Sequence, residues 1–358
     1  MTYQHKQAPL KQPTPEWIET EADIEQELNR QSAHLDLALE AKEAASVGRG
    51  TKDEIPGVHT ELWEREGVKI TRIEVQNEEG ARAIGKLPGH YITLEVPGLR
   101  RKDSKLQDRV ATHFAQEFER FLKHLNISPD AKVLLIGLGN WNVTPDALGP
   151  LVVENTMVTR HYFELMPDQV HPGYRQVSAV APGVLGTTGI ETSDIVYALV
   201  EKLQPDLVIA IDSLASKALD RVNTTIQIAD TGIHPGSGIG NKRKGITKQE
   251  LGVDVIAIGV PTVVYASTIV TNSMEMLIRH FKRRTDNTQQ IFGLLDQLTE
   301  IERLELVKEV LNPIGHDLLV TPKEIDEFIE DIANIIASGL NASLHEAVDT
   351  SNVAAYTH

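Results

Sequence analysis

The feature that most constrains this chain is a series of short apolar runs, each closed by a loop and most followed by a helical stretch. The runs are "KVLLIG" at 132–137, "QVSAV" at 176–180, "PDLVIAID" at 205–212, "TTIQIAD" at 224–230 and "VDVIAIGVPTVV" at 253–264. Continuous Val/Ile/Leu/Ala runs predict strands covered on both faces. The stretches "ALGPLVVENTMV" and "ETSDIVYALVEKL" between them predict helices. Alternation of this kind predicts an α/β fold in three layers, a mostly parallel sheet flanked by helices.

Two other patterns surround this core. Period-two spacing of Val68, Ile70, Ile73 and Val75 predicts strands, a hairpin or meander, in a β-rich addition over 58–100. Residues 103–127 predict an amphipathic helix, with Val110, Phe114, Phe118, Phe121 and Leu122 as its stripe and Asp103 or Ser104 as its cap. A helical addition is expected over 286–350. Residues 1–15 read as a disordered tail with three prolines, followed by a short acidic helix in "EWIETEADIEQELNR". The expected organisation is a tail over 1–34 and one α/β domain over 35–358.

Composition removes several function classes. The 358 residues carry 51 acidic and 35 basic side chains, a formal charge of −16. Non-specific nucleic-acid binding runs on Lys and Arg against phosphate, so no direct nucleic-acid partner is expected. Cysteine is absent, which excludes disulfides, a thiol nucleophile and thiolate metal sites and fits a cytosol-like compartment. No run of 18 or more apolar residues predicts a membrane span, and the N-terminus lacks the apolar core of a signal peptide.

The candidate chemistry lies in "AKVLLIGLGNWNVTPDALGP", 131–150. A dinucleotide cradle needs G-x-G-x-x-G. Here Gly137 and Gly139 lack the third glycine, and Trp141 stands where a pyrophosphate would approach. The glycine pair is better suited to a sharp turn at a strand end. Asp146 follows that strand, and Asp212 ends the run at 205–212. Ligand sites of open α/β sheets gather outside the carboxyl ends of strands. If the two strands are neighbours, two carboxylates face one crevice. One then keeps a proton as general acid while the other activates a water, a chemistry suited to peptide hydrolysis with no cofactor. The plainer alternative is that Asp146 caps a helix at Ala147 and Asp212 caps "SLASKAL".

The stretches "LLIGLGNWNVTPDALGP", "VSAVAPGVLGTTGIETSDIV", "AIDSLAS" and "IQIADTGIHPGSGIGNKRKGI" resemble the germination proteases of endospore-forming bacteria, from about residue 35 to the end. The resemblance implies an atypical aspartic-type endopeptidase that degrades small acid-soluble spore proteins at germination, in the spore core. It implies catalysis by the aspartates matching Asp146 and Asp212, and a fold like that of hydrogenase maturation endopeptidases. It also implies a homotetramer made as a zymogen that removes its own propeptide, with the boundary at about Arg30 to Asp36.

Rival constellations are weaker. Asp230-Thr231-Gly232 matches the tripeptide of pepsin-like proteases, but no second D-[ST]-G exists, so Asp230 reads as a turn residue. His234 with Asp146 and Asp212 could form a metal site, without a second His at ligand spacing. A Ser213–His234 triad has no G-x-S-x-G motif behind it. The Gly-rich "HPGSGIGNKRKG" at 234–245 is expected to border the site, with its basic run in solvent.

Overall fold

The computed structural model describes residues 37–49, 55–101, 103–233, 244–282, 306–307 and 318–348. The chain opens with helix α1 (Ala38–Arg49), then strands β1 (Val58–Arg65) and β2 (Val68–Val75). Helix α2 (Glu78–Ile84) leads to β3 (Gly89–Glu95). The long helix α3 (Ser104–His124) precedes β4 (Val133–Gly137) and α4 (Leu148–Asn155). Next come α5 (Arg160–Leu165), β5 (Val177–Val180), α6 (Leu185–Thr188) and α7 (Thr192–Leu203). Strands β6 (Leu207–Ser216) and β7 (Thr225–Ala229), α8 (Lys248–Leu251) and β8 (Asp254–Tyr265) follow. The series closes with α9 (Ala266–Lys282), β9 (Leu319–Val320) and α10 (Ile325–Leu344).

One sheet runs through the molecule in the order β1-β2-β3-β7-β8-β6-β4-β5, with β9 on β8. The expected α/β layering is present. The parallel part consists of β5, β4, β6 and β8. On β8 the direction reverses, and β7, β3, β2 and β1 continue antiparallel. The sheet is thus mixed, and the β-rich segment forms its antiparallel half rather than a separate unit. Strand β7 needs no crossover helix to join β3, because antiparallel neighbours can come from any part of the chain.

Alternation along the strands sorts the core into two faces. Val133, Leu135, Leu207, Ile209 and Ile211 point to a layer built by α3, α4 and α10. Phe114 and Phe118 of α3 are fully buried there, as the stripe predicts. Asp103 caps α3 by accepting from the Lys105 amide at 3.0 Å and the Leu106 amide at 3.4 Å. Helix α10 belongs to this core: Ile332, Ala333, Ile336 and Leu340 are fully buried. Gly339 admits Phe114 so closely that a Cβ there would overlap its ring.

On the opposite face, Leu134, Ile136, Val208 and Ala210 meet Val196 and Val200 of α7. Further along, Ile73, Tyr91 and Ala229 meet Ala38, Leu39 and Ala41 of α1. Each fully buried aliphatic side chain in these layers contributes about 1.5–3 kcal/mol. Among the described residues no helix is long and apolar enough to cross a membrane.

Candidate active site

The loop after β4 carries the first acid. The Leu138 amide donates to the Ile211 carbonyl at 2.8 Å, continuing the ladder to β6. The chain then turns at Gly139, φ +115°, where a Cβ would overlap the carbonyl oxygen of Asp146. Only glycine meets both demands. Gly137 and Gly149 press backbone to backbone, which seats the start of α4 on the end of β4. These glycines serve the turn and the packing, and the space above Gly139 is filled by the chain itself. A pyrophosphate would find no opening there.

Residues 144–146 form one turn of 3₁₀ helix. It is closed by bonds from the Asp146 amide to the Val143 carbonyl at 2.8 Å and from the Asn140 amide to the Asp146 carbonyl at 3.0 Å. Helix α4 begins at Leu148 with Ala147 as its N-cap and no side-chain capping bond. The capping role considered for Asp146 is therefore absent, and its carboxylate is left for other work. Burial raises the Asp146 pKa from 3.8 to about 6, and the Asn140 backbone amide against the carboxylate pulls it back part of the way. The neighbouring Leu138, Ala147 and Leu148 are buried, and they replace the water that would stabilise the charge.

Asp212 is placed differently from expectation. It does not end its strand, since β6 continues to Ser216. It caps no helix either, because "SLAS" is strand. The reason is β8, which pairs with β6 beyond Asp212 through Ser216↔Val264 and holds it extended past a bulge at Leu214/Ala215. Strand β4 does stop there: its last partner pair is Gly137↔Ile211. Asp212 thus stands one residue beyond the end of β4, half-buried, accepting from the Ser213 amide at 2.9 Å. The turn 144–146 packs against β6 and β8. The structure therefore seats the turn bearing Asp146 on the strand bearing Asp212, at the rim where β4 ends.

The registers define what lies beside Asp212. It pairs with Gly259 of β8, Gly259 with Gln227 of β7, and Gln227 with Thr93 of β3. Cross-strand partners share a face, so Gln227, Gly259 and Asp212 lie abreast. Gly259 has no side chain, and Leu214 closes over it. Gln227 Oε1 accepts from the Ala38 amide at 2.6 Å. Two residues past Leu214, Ser216 Oγ donates to Glu40 Oε1 at 2.6 Å. The Lys217 and Ala218 amides add bonds to the same carboxylate at 2.9 and 3.2 Å. The start of α1 is thereby fixed on the Asp212 face. Sequence reasoning missed Gln227 and Glu40. The available signal was a lone amide in the buried run "TIQIA", since a buried polar side chain requires a partner.

The other candidates separate from this rim. Asp230 follows β7 and accepts from the His90 amide at 2.8 Å, with His90 Nδ1 at 2.8 Å from its second oxygen. It is a bend residue that ties β7 to β3. Ser213 is next to Asp212 on a strand and points to the opposite face. Its hydroxyl is buried and has no hydrogen-bond partner among the described residues. His234, the basic run apart from Lys244, and the boundary at 30–36 lie outside the described residues.

A family model described as germination protease matches residues 35–290 and 284–357. The chain is 48% identical to a germination protease of Bacillus mycoides (strain KBAB4), over 93% of this chain and 99% of that one. A germination protease of Bacillus anthracis (strain CDC 684 / NRRL 3495) is 47% identical over the same shares of the two chains. Among solved structures, a NiFe hydrogenase maturation protease from Thermococcus kodakarensis KOD1 matches 59% of this chain and 92% of its own, at 17% identity and a TM-score of 0.29. On the sequence matches, which span nearly the whole chain and nearly the whole of its relatives, this protein belongs to the germination protease family.

Proposed function

We propose that this protease acts as an endopeptidase on small acid-soluble spore proteins during germination, through Asp146 and Asp212 working as a pair. The observation that carries the reading is the seating of the 144–146 turn on β6 and β8 at the rim where Asp212 stands. Asp146 is assigned the proton. Its pKa of about 6 leaves about a tenth of it protonated at pH 7, far more than an ordinary carboxyl, which suits it to the role of general acid. Asp212 is assigned the base.

A water between the two carboxyl groups loses a proton to Asp212 as its oxygen attacks the peptide carbonyl carbon. Asp146 passes its own proton to the peptide nitrogen, which leaves as the free amine when the C–N bond breaks. The proton taken up by Asp212 then passes to Asp146, which restores the starting protonation of the pair. Trp141 and Val143, both about half exposed on the Asp146 loop, offer apolar contacts to a peptide.

The same reading includes synthesis as a zymogen that cleaves its own N-terminal segment, assembly as a homotetramer, and residence in the spore core. The test uses Asp146→Asn and Asp212→Asn in the full chain, with cleavage of a purified spore protein followed by gel and mass spectrometry. Loss of about 10²-fold or more in rate, with folding kept, is expected for each. Wild-type cleavage by the double variant refutes the assignment.

A further inference from the structure

One cluster of titratable side chains stands apart from the rim of Asp146 and Asp212. His90 on β3 is held twice by Asp230: its amide donates to Oδ1 at 2.8 Å, and its ring Nδ1 stands 2.8 Å from Oδ2. The Asp230 amide in turn donates to the His90 carbonyl at 3.3 Å. Tying β7 to β3 needs only the bonds to the backbone. The second carboxylate oxygen fixes the ring: it accepts the Nδ1 proton and leaves a lone pair on Nε2. Gly89 makes room for this, since a Cβ there would overlap Asp230 Oδ1. His90 Nε2 lies 3.2 Å from Nε2 of His124, the last residue of α3. Glu74, the cross-strand partner of His90 on β2, brings Oε1 to 3.9 Å from the same His90 nitrogen.

We propose that His90 and His124 form a site for a divalent transition-metal ion that favours imidazole nitrogen, Zn²⁺ above all, with Asp230 as the carboxylate behind the His90 ring. The spacing agrees. Two nitrogens each about 2.0–2.1 Å from one tetrahedral ion stand about 3.3 Å apart. A ring-to-ring hydrogen bond of 3.2 Å lies at the long end of its range. Among the described residues no group of three His, Asp or Glu side chains stands ready to hold an ion. The chain therefore supplies two donors and water completes the shell, with Glu74 close enough to offset the charge. A carboxylate hydrogen-bonded behind a ligand histidine fixes its tautomer and raises its basicity. His90 is 34% exposed and His124 lies on the surface, so the ion enters from solvent. Once bound, it clips the end of α3 to β3. Asp230 lies three residues past Gln227, about 10 Å along the strand direction, so the site is separate from Asp212 and does not rest on the aspartate reading.

The experiment is equilibrium dialysis of the full chain against zinc chloride, with metal analysis and thermal unfolding, in wild type, His124→Ala, Asp230→Asn and His171→Ala. The wild type is expected to retain Zn²⁺ but not Mg²⁺, and to gain about 2 °C or more in melting midpoint in excess Zn²⁺. His124 is exposed, so alanine keeps the fold while removing one ligand. That variant is expected to bind Zn²⁺ at least tenfold more weakly and to lose the gain in midpoint. Asp230→Asn keeps both ligands and is expected to bind about tenfold more weakly or worse, because the His90 ring is no longer fixed. His171→Ala, which removes an exposed histidine elsewhere, is expected to match the wild type. Equal Zn²⁺ affinity in wild type and His124→Ala overturns the inference and leaves the two rings as a hydrogen-bonded pair. A wild type that retains no Zn²⁺ overturns it as well, and so does an equal loss in His171→Ala, which marks adventitious binding to surface histidines. Wild-type affinity in Asp230→Asn overturns the part given to the carboxylate.

Discussion

Replacing Asp146 by Asn should stabilise this protein while disabling it, and the gain should depend on pH. The folded carboxyl titrates at about 6 against 3.8 for the ordinary group. Between those values the folded state holds a proton that the unfolded chain has released, so stability falls as pH rises through that window. Above pH 6 both states are ionised, and the wild type bears the whole cost of a charge in a poorly hydrated site. A shift of about two units corresponds to about 3 kcal/mol at 1.36 kcal/mol per unit. Solvent reaching the half-buried side chain lowers this to about 1–3 kcal/mol. Asparagine keeps the shape and never ionises. Urea unfolding of both proteins from pH 4 to 8 reads the difference directly. At about 3 kcal/mol per molar, the midpoint of the variant should lie about 0.3–1 M higher at pH 7.5 and coincide with the wild type near pH 4. A variant that is less stable at pH 7.5, or a difference that does not change with pH, refutes the claim that burial strains this carboxylate.

Two further expectations follow from neighbouring features. Gly139→Ala, at φ +115° and against the Asp146 carbonyl, should destabilise the fold by about 1–3 kcal/mol. It should also cut peptidase activity at least tenfold, because the displaced turn carries Asp146; wild-type turnover in a folded variant would refute the role of that turn. His345, fully buried, has its pKa lowered from 6.5 to about 4 by burial. The unfolded chain binds that proton first, so stability should fall as pH drops from 6.5 towards 4. A His345→Gln variant should lose that part of the acid slope in the same unfolding series, and an unchanged slope would refute it.

Much of the frame was legible because burial on both faces leaves a composition mark. The strands at 133–137, 207–216 and 254–265 coincide with the apolar runs, and the Phe114–Phe118 stripe lies on its helix. The glycine pair was read correctly as serving a turn, since a positive φ and a close backbone contact both demand glycine. Strand direction left no such mark. Nothing in "TTIQIAD" states that β7 runs antiparallel to β8, because apolar runs look alike in either sense. The continuation of β6 past Asp212 was equally hidden. "SLAS" reads as the start of a helix until β8 pairs with it.

By itself the sequence determined where the core strands and the long helix lie, where the chain must turn at glycine, and that Asp146 follows a strand end. Those are properties of local pattern and of backbone sterics. Only the tertiary structure decided that the turn of Asp146 rests on the strand of Asp212, that Asp146 loses its water, and that Gln227 and Glu40 hold the start of α1 beside them. Each of these depends on contacts between residues far apart in the chain, and desolvation and hydrogen bonding arise only once those residues have been packed together.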